Sequence, residues 1–167
     1  MNFLLVSLIS VLAFSSCATT APKVDFPPFN YEETKRAMRA GKNTVKGSGF
    51  LRQAGGGIVK ISGNSVLLAP VTEYSSARIR AFYGNVSGAV TNRTPNSSKV
   101  PPAYVELCHK TIADVDGRFE FNNVADGSYF CITHVSWRVN DRYNGGYIMK
   151  RVDVSGGKTV SIVVSGR

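Results

Sequence analysis

The stretch DVDGRFEFNNVADGSYFCI, residues 114–132, decides the fold of this chain. It contains two Asp-Gly steps, at Asp116–Gly117 and Asp126–Gly127. Each step is typical of a tight turn, because glycine tolerates positive φ. Between them Phe119 and Phe121 alternate with charged residues, which is the period of a half-buried strand. The stretch therefore predicts one strand framed by two turns, with a second strand directly after it.

The carboxylates of this stretch have a structural interpretation. Asp114 and Asp116 are placed to cap turn amides. A calcium loop of the EF-hand type would need more oxygen ligands at regular spacing and a bidentate glutamate, and these are missing. Weak calcium binding by Asp114, Asp116 and Asn122 remains an alternative. We predict no metal site and no cofactor.

The remainder of residues 44–167 consists mainly of short apolar runs rich in Val and Ile, separated by Gly, Asn and Pro, as in a turn-rich β protein. "AGGGIVK" lacks the Gly-Lys-Ser/Thr of a phosphate-binding loop and predicts a hairpin. Residues 72–84 predict a brief helical turn or an irregular crossing.

Three further expectations concern the second half of the chain. In the segment after Pro101–Pro102, alternation places Ala103, Val105 and Leu107 on one face of a strand. Residues 92–98 and 138–147 are expected to be exposed loops. The sequence after residue 147 predicts a closing hairpin.

The order of these turns and aromatics resembles the carboxypeptidase regulatory-like domain, a small β-sandwich akin to prealbumin and to Cna-B-type modules. The likeness covers residues 86–137. It is carried by Ala103, Val105, Leu107, Thr111, Asp114, Asp116, Gly117, Phe119, Phe121, Val124, Gly127 and Tyr129. The resemblance implies an all-β, Ig-like or prealbumin-like sandwich with Phe119, Phe121 and Tyr129 in its core. It also implies a binding or folding-support module rather than a peptidase.

The first residues, MNFLLVSLISVLAFSSC, predict export. The apolar run is too short to span a bilayer and matches the core of a signal peptide. Small residues lead directly into Cys17, which resembles a bacterial lipobox, so residues 1–16 are predicted to be a lipoprotein signal peptide and Cys17 the lipidated residue. Ala18 after this cysteine favours the outer membrane. An ordinary signal peptide cleaved near Ala18, giving a secreted or periplasmic protein, is the alternative.

Residues 17–43 predict a tether and a short basic helix. In NYEETKRAMRAG, Asn30 can cap the helix, Glu33 can complete a capping box and Gly41 suits a left-handed end. The basic side chains of this helix could contact anionic lipid, although such a face is more often only solvated. The candidate lipid-contact residues are Lys35, Arg36 and Arg39.

The chain has 20 Lys and Arg against 11 Asp and Glu, a net charge of +9, which attracts anionic partners. Nucleic acid is excluded because it does not fit export. The two histidines and the cysteines match no zinc pattern, and no nucleophile elbow is present, so we predict that the chain is not an enzyme. A disulfide between Cys108 and Cys131 is left open.

Together these features predict a lipid-anchored cell-envelope protein whose β-sandwich binds or scaffolds another envelope component, either a protein or a glycan. An envelope hydrolase with a loop-built site and a surface adhesin or carbohydrate-binding module are the alternatives. Cationic and aromatic side chains are enriched in interfaces, and such residues surround Gly145–Gly146. The candidate partner-binding residues are Arg138, Arg142, Tyr143 and Tyr147.

Overall fold

Residues 26–91 and 100–166, which the computed structural model describes, contain nine strands and three helices. The strands are β1 (Ala40–Arg52), β2 (Ile58–Lys60), β3 (Ser65–Pro70), β4 (Gly88–Thr91), β5 (His109–Ile112), β6 (Arg118–Val124), β7 (Gly127–Val139), β8 (Arg142–Val154) and β9 (Thr159–Gly166). The helices are α1 (Tyr31–Ala37), α2 (Glu73–Tyr83) and α3 (Pro102–Leu107). Cys17 and the predicted signal peptide lie outside the described residues, as does the predicted loop 92–98.

The strands form two sheets. In the first sheet β1 is central: β9 runs parallel to it on one side, and β6 and β2 pair antiparallel with successive parts of its other side. The second sheet has the order β4-β8-β7-β3-β5 and is antiparallel throughout. The predicted all-β sandwich is confirmed.

The core lies between the sheets and contains the aromatics expected there. Phe119 and Phe121 on β6 are buried, and their rings meet edge to face with centroids 5.9 Å apart. Tyr129 on β7 is buried opposite them, and its hydroxyl lies 3.0 Å from the Ala37 carbonyl oxygen and 2.9 Å from that of Ala125. This hydroxyl therefore ties α1 to one end of the sandwich.

The first Asp-Gly turn forms as predicted. Gly117 has φ +74°, and the Asp114 carboxylate accepts hydrogen bonds from the backbone N–H groups of Asp116 and Arg118, both at 2.8 Å. Asp116 does not cap an amide. It forms ion pairs with Lys60 at 3.1 Å and Arg118 at 3.3 Å, and the hydrogen bond from Lys60 lowers the pKa of its carboxyl group. Both carboxylates are thus held by protein groups.

The carboxylate of the second Asp-Gly step binds groups from distant parts of the chain. Asp126 accepts from the Asn43 side-chain amide at 2.8 Å and from the Gly156 backbone N–H at 3.1 Å. Asn43 is completely buried, and it also donates to the Val124 carbonyl at 2.9 Å and accepts from the Lys158 N–H at 3.0 Å. It lies at an irregularity in the β1–β6 pairing, where Ala40 and Asn43 both have Val124 as partner. Asn43 thus connects three chain segments at this end, which local sequence patterns did not reveal.

Three strand and loop predictions are wrong. The predicted strand with Ala103, Val105 and Leu107 is helix α3, which begins at Pro102 because proline fits the first helical turn. The predicted closing hairpin does not exist: Gly156 and Gly157, at φ +72° and +68°, turn the chain to the other sheet, where β9 pairs with β1.

The third correction concerns residues 138–147. They were expected to form an exposed loop, but β7 and β8 remain paired as far as Val139 and Arg142. Only Asn140 and Asp141 lie between the strands, both at positive φ (+47° and +61°), as in a tight two-residue hairpin turn. The segment is therefore the tip of a long, ordered hairpin.

Of the remaining local predictions, the short helix and the glycine hairpin are present in the structure. Helix α1 is present and the Asn30 side chain accepts from the Glu33 N–H at 3.0 Å. The helix ends at Ala37 with Met38 as its C-cap, however, and Gly41 lies in β1, where a Cβ would come within 2.3 Å of the Ala125 Cα. The hairpin predicted at the triple glycine is confirmed between β1 and β2. Residues 72–84, which were left undecided, contain the eleven-residue helix α2.

Candidate functional site

A groove of about 690 Å³ opens at one end of the sandwich. One wall is the β1–β2 turn, which contributes Gln53, Ala54 and Gly55. The other wall is the tip of the β7–β8 hairpin. It contributes Trp137, Val139, Asn140, Arg142 and Asn144. We call this cavity the tip groove.

Strand pairing decides which side chains reach the tip groove. Residues directly opposite each other in an antiparallel pair share one face of the sheet. Trp137 is paired with Asn144, and Val139 with Arg142, on the face that continues the core position of Val135. These four side chains consequently project together at the inner side of the hairpin.

The opposite face of the hairpin holds the other predicted partner-binding residues. Arg138 is paired with Tyr143, and His134 with Tyr147. This face continues that of Phe130, which packs with Ile79 of α2. The structure therefore divides the predicted set: Arg142 lines the tip groove, whereas Arg138, Tyr143 and Tyr147 lie outside it.

Trp137 is the aromatic side chain of the tip groove and the single tryptophan of the chain. It is partly buried and packs against the main core cluster, so its ring is held from behind while the groove leaves part of it accessible. Trp137 is not among the partner-binding residues predicted from sequence. The available signal was its period-two spacing from Tyr129, Cys131 and Val135, which places it on the inner face beyond the last buried position.

The polar groups around Trp137 are mainly carboxamides. The Asn144 amide nitrogen donates to the Arg142 carbonyl at 3.2 Å, which leaves the Asn144 side-chain oxygen as an acceptor. Gln53 folds over its own turn, where a Cβ on Gly57 would be 2.4 Å from its side-chain oxygen. The groove thus combines an indole ring with hydrogen-bond donors and acceptors on fixed hairpins.

On the outer face, Arg138 and Tyr143 form a compact pair. The Arg138 guanidinium forms an ion pair with Asp141 at 2.8 Å and lies 5.6 Å from the centre of the Tyr143 ring. Tyr143 is 78% exposed, whereas Tyr147 is partly buried with its ring 4.6 Å from that of His134. Tyr143 is therefore the accessible aromatic of this face.

The predicted lipid-contact residues lie near α1. Lys35, Arg36 and Arg39 are exposed, but the first turn of the helix carries Glu32 and Glu33, so the local charge is mixed. Arg39 also lies beyond the helix, and its guanidinium donates to the Arg36 carbonyl at 3.2 Å.

Helix α1 and the tip groove lie at opposite ends of the sandwich. Strand β1 starts at Ala40, just after α1, and ends at Arg52, just before the groove residue Gln53. Strand β7 likewise runs from Gly127 to the groove at Val139. Thirteen residues of strand at ~3.3 Å each correspond to about 40 Å. The chain thus enters the domain far from the groove.

The two cysteines of the described domain are free and buried. A disulfide does not form because β3 lies between them: Leu68 pairs with Cys131 on one side and with His109, the neighbour of Cys108, on the other. Two strand spacings come to about 9–10 Å, beyond the span of a disulfide. Burial raises the pKa of the Cys108 thiol to about 12 and also raises the pKa of Cys131, so neither is an activated nucleophile.

Within 26–91 and 100–166, no three His, Cys, Asp or Glu residues are grouped so that they could hold a metal ion. In the same ranges, no helix has the length and hydropathy needed to cross a membrane.

Comparisons with known proteins identify the fold. No protein-family model matches the chain, and none of the curated proteins matches its sequence. Among solved structures, the chain is similar to the crystal structure of a proposed carbohydrate-binding protein from Pseudomonas aeruginosa, with a TM-score of 0.70 and 24% sequence identity. The match covers 84% of this chain and 99% of that one. The two proteins share a fold.

Proposed function

We propose that this chain is a glycan-binding module carried by a lipid-anchored protein of the bacterial cell envelope. The observation on which the proposal rests is the tip groove, where Trp137 lies among carboxamide side chains at the far end of the sandwich. The name of the structural neighbour, a proposed carbohydrate-binding protein, favours the same class of ligand.

The groove has the chemistry that a sugar requires. A pyranose ring presents C–H groups on its faces, and these pack against a flat aromatic surface such as indole. Its hydroxyl groups both donate and accept, which suits the carboxamides of Gln53, Asn140 and Asn144. Binding sites commonly combine an apolar surface with a few fixed polar groups.

The position of the groove fits attachment through Cys17. A lipidated N-terminus would hold the α1 end of the sandwich towards the membrane, and the groove would face away from it. The proposal of an outer-membrane lipoprotein itself rests on the lipobox-like residues before Cys17 and on Ala18 after it, with a secreted or periplasmic protein as the alternative if the signal peptide is of the ordinary type.

We further propose that the module is not an enzyme. Within the described residues, the thiols of Cys108 and Cys131 are buried with raised pKa values, and Asp114 and Asp116 are occupied with turn and ion-pair contacts. The hydrolase alternative would need a nucleophile or paired acids in the tip groove, and its lining residues include neither a carboxylate nor a thiol.

A protein partner at the outer face of the hairpin is the second candidate. Tyr143 is highly exposed and is stiffened by Arg138 beside it, as in many interface hot spots. In this alternative the module is a scaffold for another envelope protein. Contact of Lys35, Arg36 and Arg39 with anionic lipid would be compatible with either candidate.

Two matched variants of the same hairpin separate the candidates. On an array of bacterial and host glycans, Trp137→Ala should weaken binding about 30-fold, which corresponds to the ~2 kcal/mol typical of a buried aromatic anchor. Tyr143→Ala, on the opposite face, should leave glycan binding unchanged. Loss of binding in Tyr143→Ala with full retention in Trp137→Ala would reject the tip groove as the site.

A further inference from the structure

The tip groove has an unbalanced charge. Of its eight lining residues, Arg142 is the one cation, three are carboxamides and none is acidic. Arg142 is exposed and takes part in none of the ion pairs found within residues 26–91 and 100–166. A groove built only for neutral hydroxyl groups has no need of such a cation, because carboxamides already supply both donors and acceptors.

The hairpin neutralises one arginine and leaves the other free. Asp141 lies between Arg138 and Arg142 in the hairpin, and its carboxylate is 2.8 Å from the Arg138 guanidinium. Arg138 belongs to the outer face of the hairpin, so the acidic residue of the turn compensates the charge outside the groove. The guanidinium in the groove thus remains available to a ligand.

The strand register places Trp137 and Arg142 close enough for one ligand to contact both side chains. Trp137 is paired with Asn144, and Arg142 lies two residues before Asn144, so Trp137 and Arg142 are diagonal neighbours on one face. Diagonal positions are about 7–8 Å apart, which long side chains can bridge. A sugar stacked on Trp137 would therefore direct a substituent at its ring edge towards Arg142.

We infer that the tip groove selects acidic sugars, in which a ring carboxylate pairs with Arg142 while the sugar face packs on Trp137. The planar fork of a guanidinium matches a carboxylate with two parallel hydrogen bonds. The ligand class is thus the uronic acids and their oligomers. This inference rests on the proposed glycan-binding function and adds the charge of the ligand to it.

The test compares each acidic sugar with its own neutral form. Tetramers of galacturonate, glucuronate and mannuronate, and the same tetramers after reduction of the carboxyl groups to alcohols, would be titrated into the full chain by calorimetry. At least one acidic tetramer should bind ten-fold or more tightly than its reduced form. The preference should shrink as salt is raised, because an exposed ion pair is screened.

Two arginine variants complete the design. Arg142→Gln should abolish the preference and leave binding of the reduced tetramer unchanged. The control is the double variant Arg138→Gln/Asp141→Asn, which removes the ion pair on the other face of the hairpin without freeing a carboxylate beside Arg142, and it should keep the preference. Absence of any acid preference, or its loss in the control variant instead of Arg142→Gln, would overturn the inference.

The outcomes distinguish this inference from the proposed function. Trp137-dependent binding of neutral glycans without an acid preference would refute acidic selectivity and leave the glycan-binding function intact. Failure of Trp137→Ala to affect the binding of any glycan would reject the tip groove as the site, and absence of binding to every glycan, acidic or neutral, would refute both.

Discussion

Replacing Asn43 with alanine should destabilise the whole sandwich, although the site is far from the tip groove. The side chain is 0% exposed and makes three hydrogen bonds: to the Val124 carbonyl, to the Asp126 carboxylate and from the Lys158 N–H. At about 1 kcal/mol for each bond, Asn43→Ala should reduce the free energy of unfolding by about 3 kcal/mol. Partners left buried without a bond would add to this loss.

Urea unfolding followed by far-ultraviolet circular dichroism measures this change. With a denaturant dependence of about 2 kcal/mol per molar urea, the midpoint should fall by about 1.5 M. The matched control is Asn122→Ala. Asn122 is exposed and makes one hydrogen bond, from the Thr44 hydroxyl, so its loss should lower stability by no more than about 0.5 kcal/mol.

Asn43→Asp tests the same contacts through charge. The new carboxylate would replace an amide donor beside the Asp126 carboxylate and the Val124 carbonyl, and its folded-state pKa would be raised by burial and by repulsion. A raised pKa means that stability is lost as pH rises and returns as pH falls through the carboxyl range. A midpoint for Asn43→Ala within 0.3 M of wild type, or Asn43→Asp that is insensitive to pH, would refute the assigned contacts.

Three further predictions follow from other sites. Cys17→Ser should leave an unprocessed precursor that takes up no fatty-acid label, whereas normal processing without label in the wild type would contradict lipidation. Gly117→Val should lower the free energy of unfolding by at least about 2 kcal/mol in the same urea assay. The reason is that residue 117 is at φ +74° and that a Cβ there would lie 3.1 Å from the Gly49 carbonyl oxygen. Stability equal to that of the wild type would contradict this prediction. Burial lowers the pKa of His109, so as the pH falls the unfolded state binds a proton at this residue before the folded state does. The melting temperature should therefore fall between pH 7.5 and pH 5.5. A fall of the same size in His109→Leu would show that His109 is not its cause.

Local chemistry explains which parts of the fold were predictable from sequence. The turn at Asp116–Gly117 and the buried Phe119 and Phe121 depend on residues within a few positions of each other, so their pattern determines their structure. The prediction of a strand at residues 102–107 was wrong because alternating apolar residues in so short a run suit a strand and a helix equally. Pro102 decided in favour of the helix.

The parts that were missed depend on contacts between distant segments. From the sequence, β9 is expected to form a hairpin with β8, because a short glycine-containing turn joins them. Only the packing of the two sheets shows that β9 pairs with β1 instead. In the sequence, Asn43 cannot be told from other polar strand residues, because its partners Asp126 and Lys158 lie far along the chain. For the candidate site, sequence selected residues of the stretch 138–147, part of which lines the tip groove, but the pairing of Trp137 with Asn144 was needed to separate the two faces of the hairpin.

The most direct test of the central claim uses Trp137 as its own reporter. Because the chain has a single tryptophan, its indole N–H gives one side-chain signal of this kind in a nitrogen–proton NMR spectrum of the labelled protein. During titration with a glycan that binds, this signal should shift progressively to saturation with the dissociation constant measured by calorimetry. A glycan that binds with that constant while the indole signal stays in place would show that the tip groove is not the binding site.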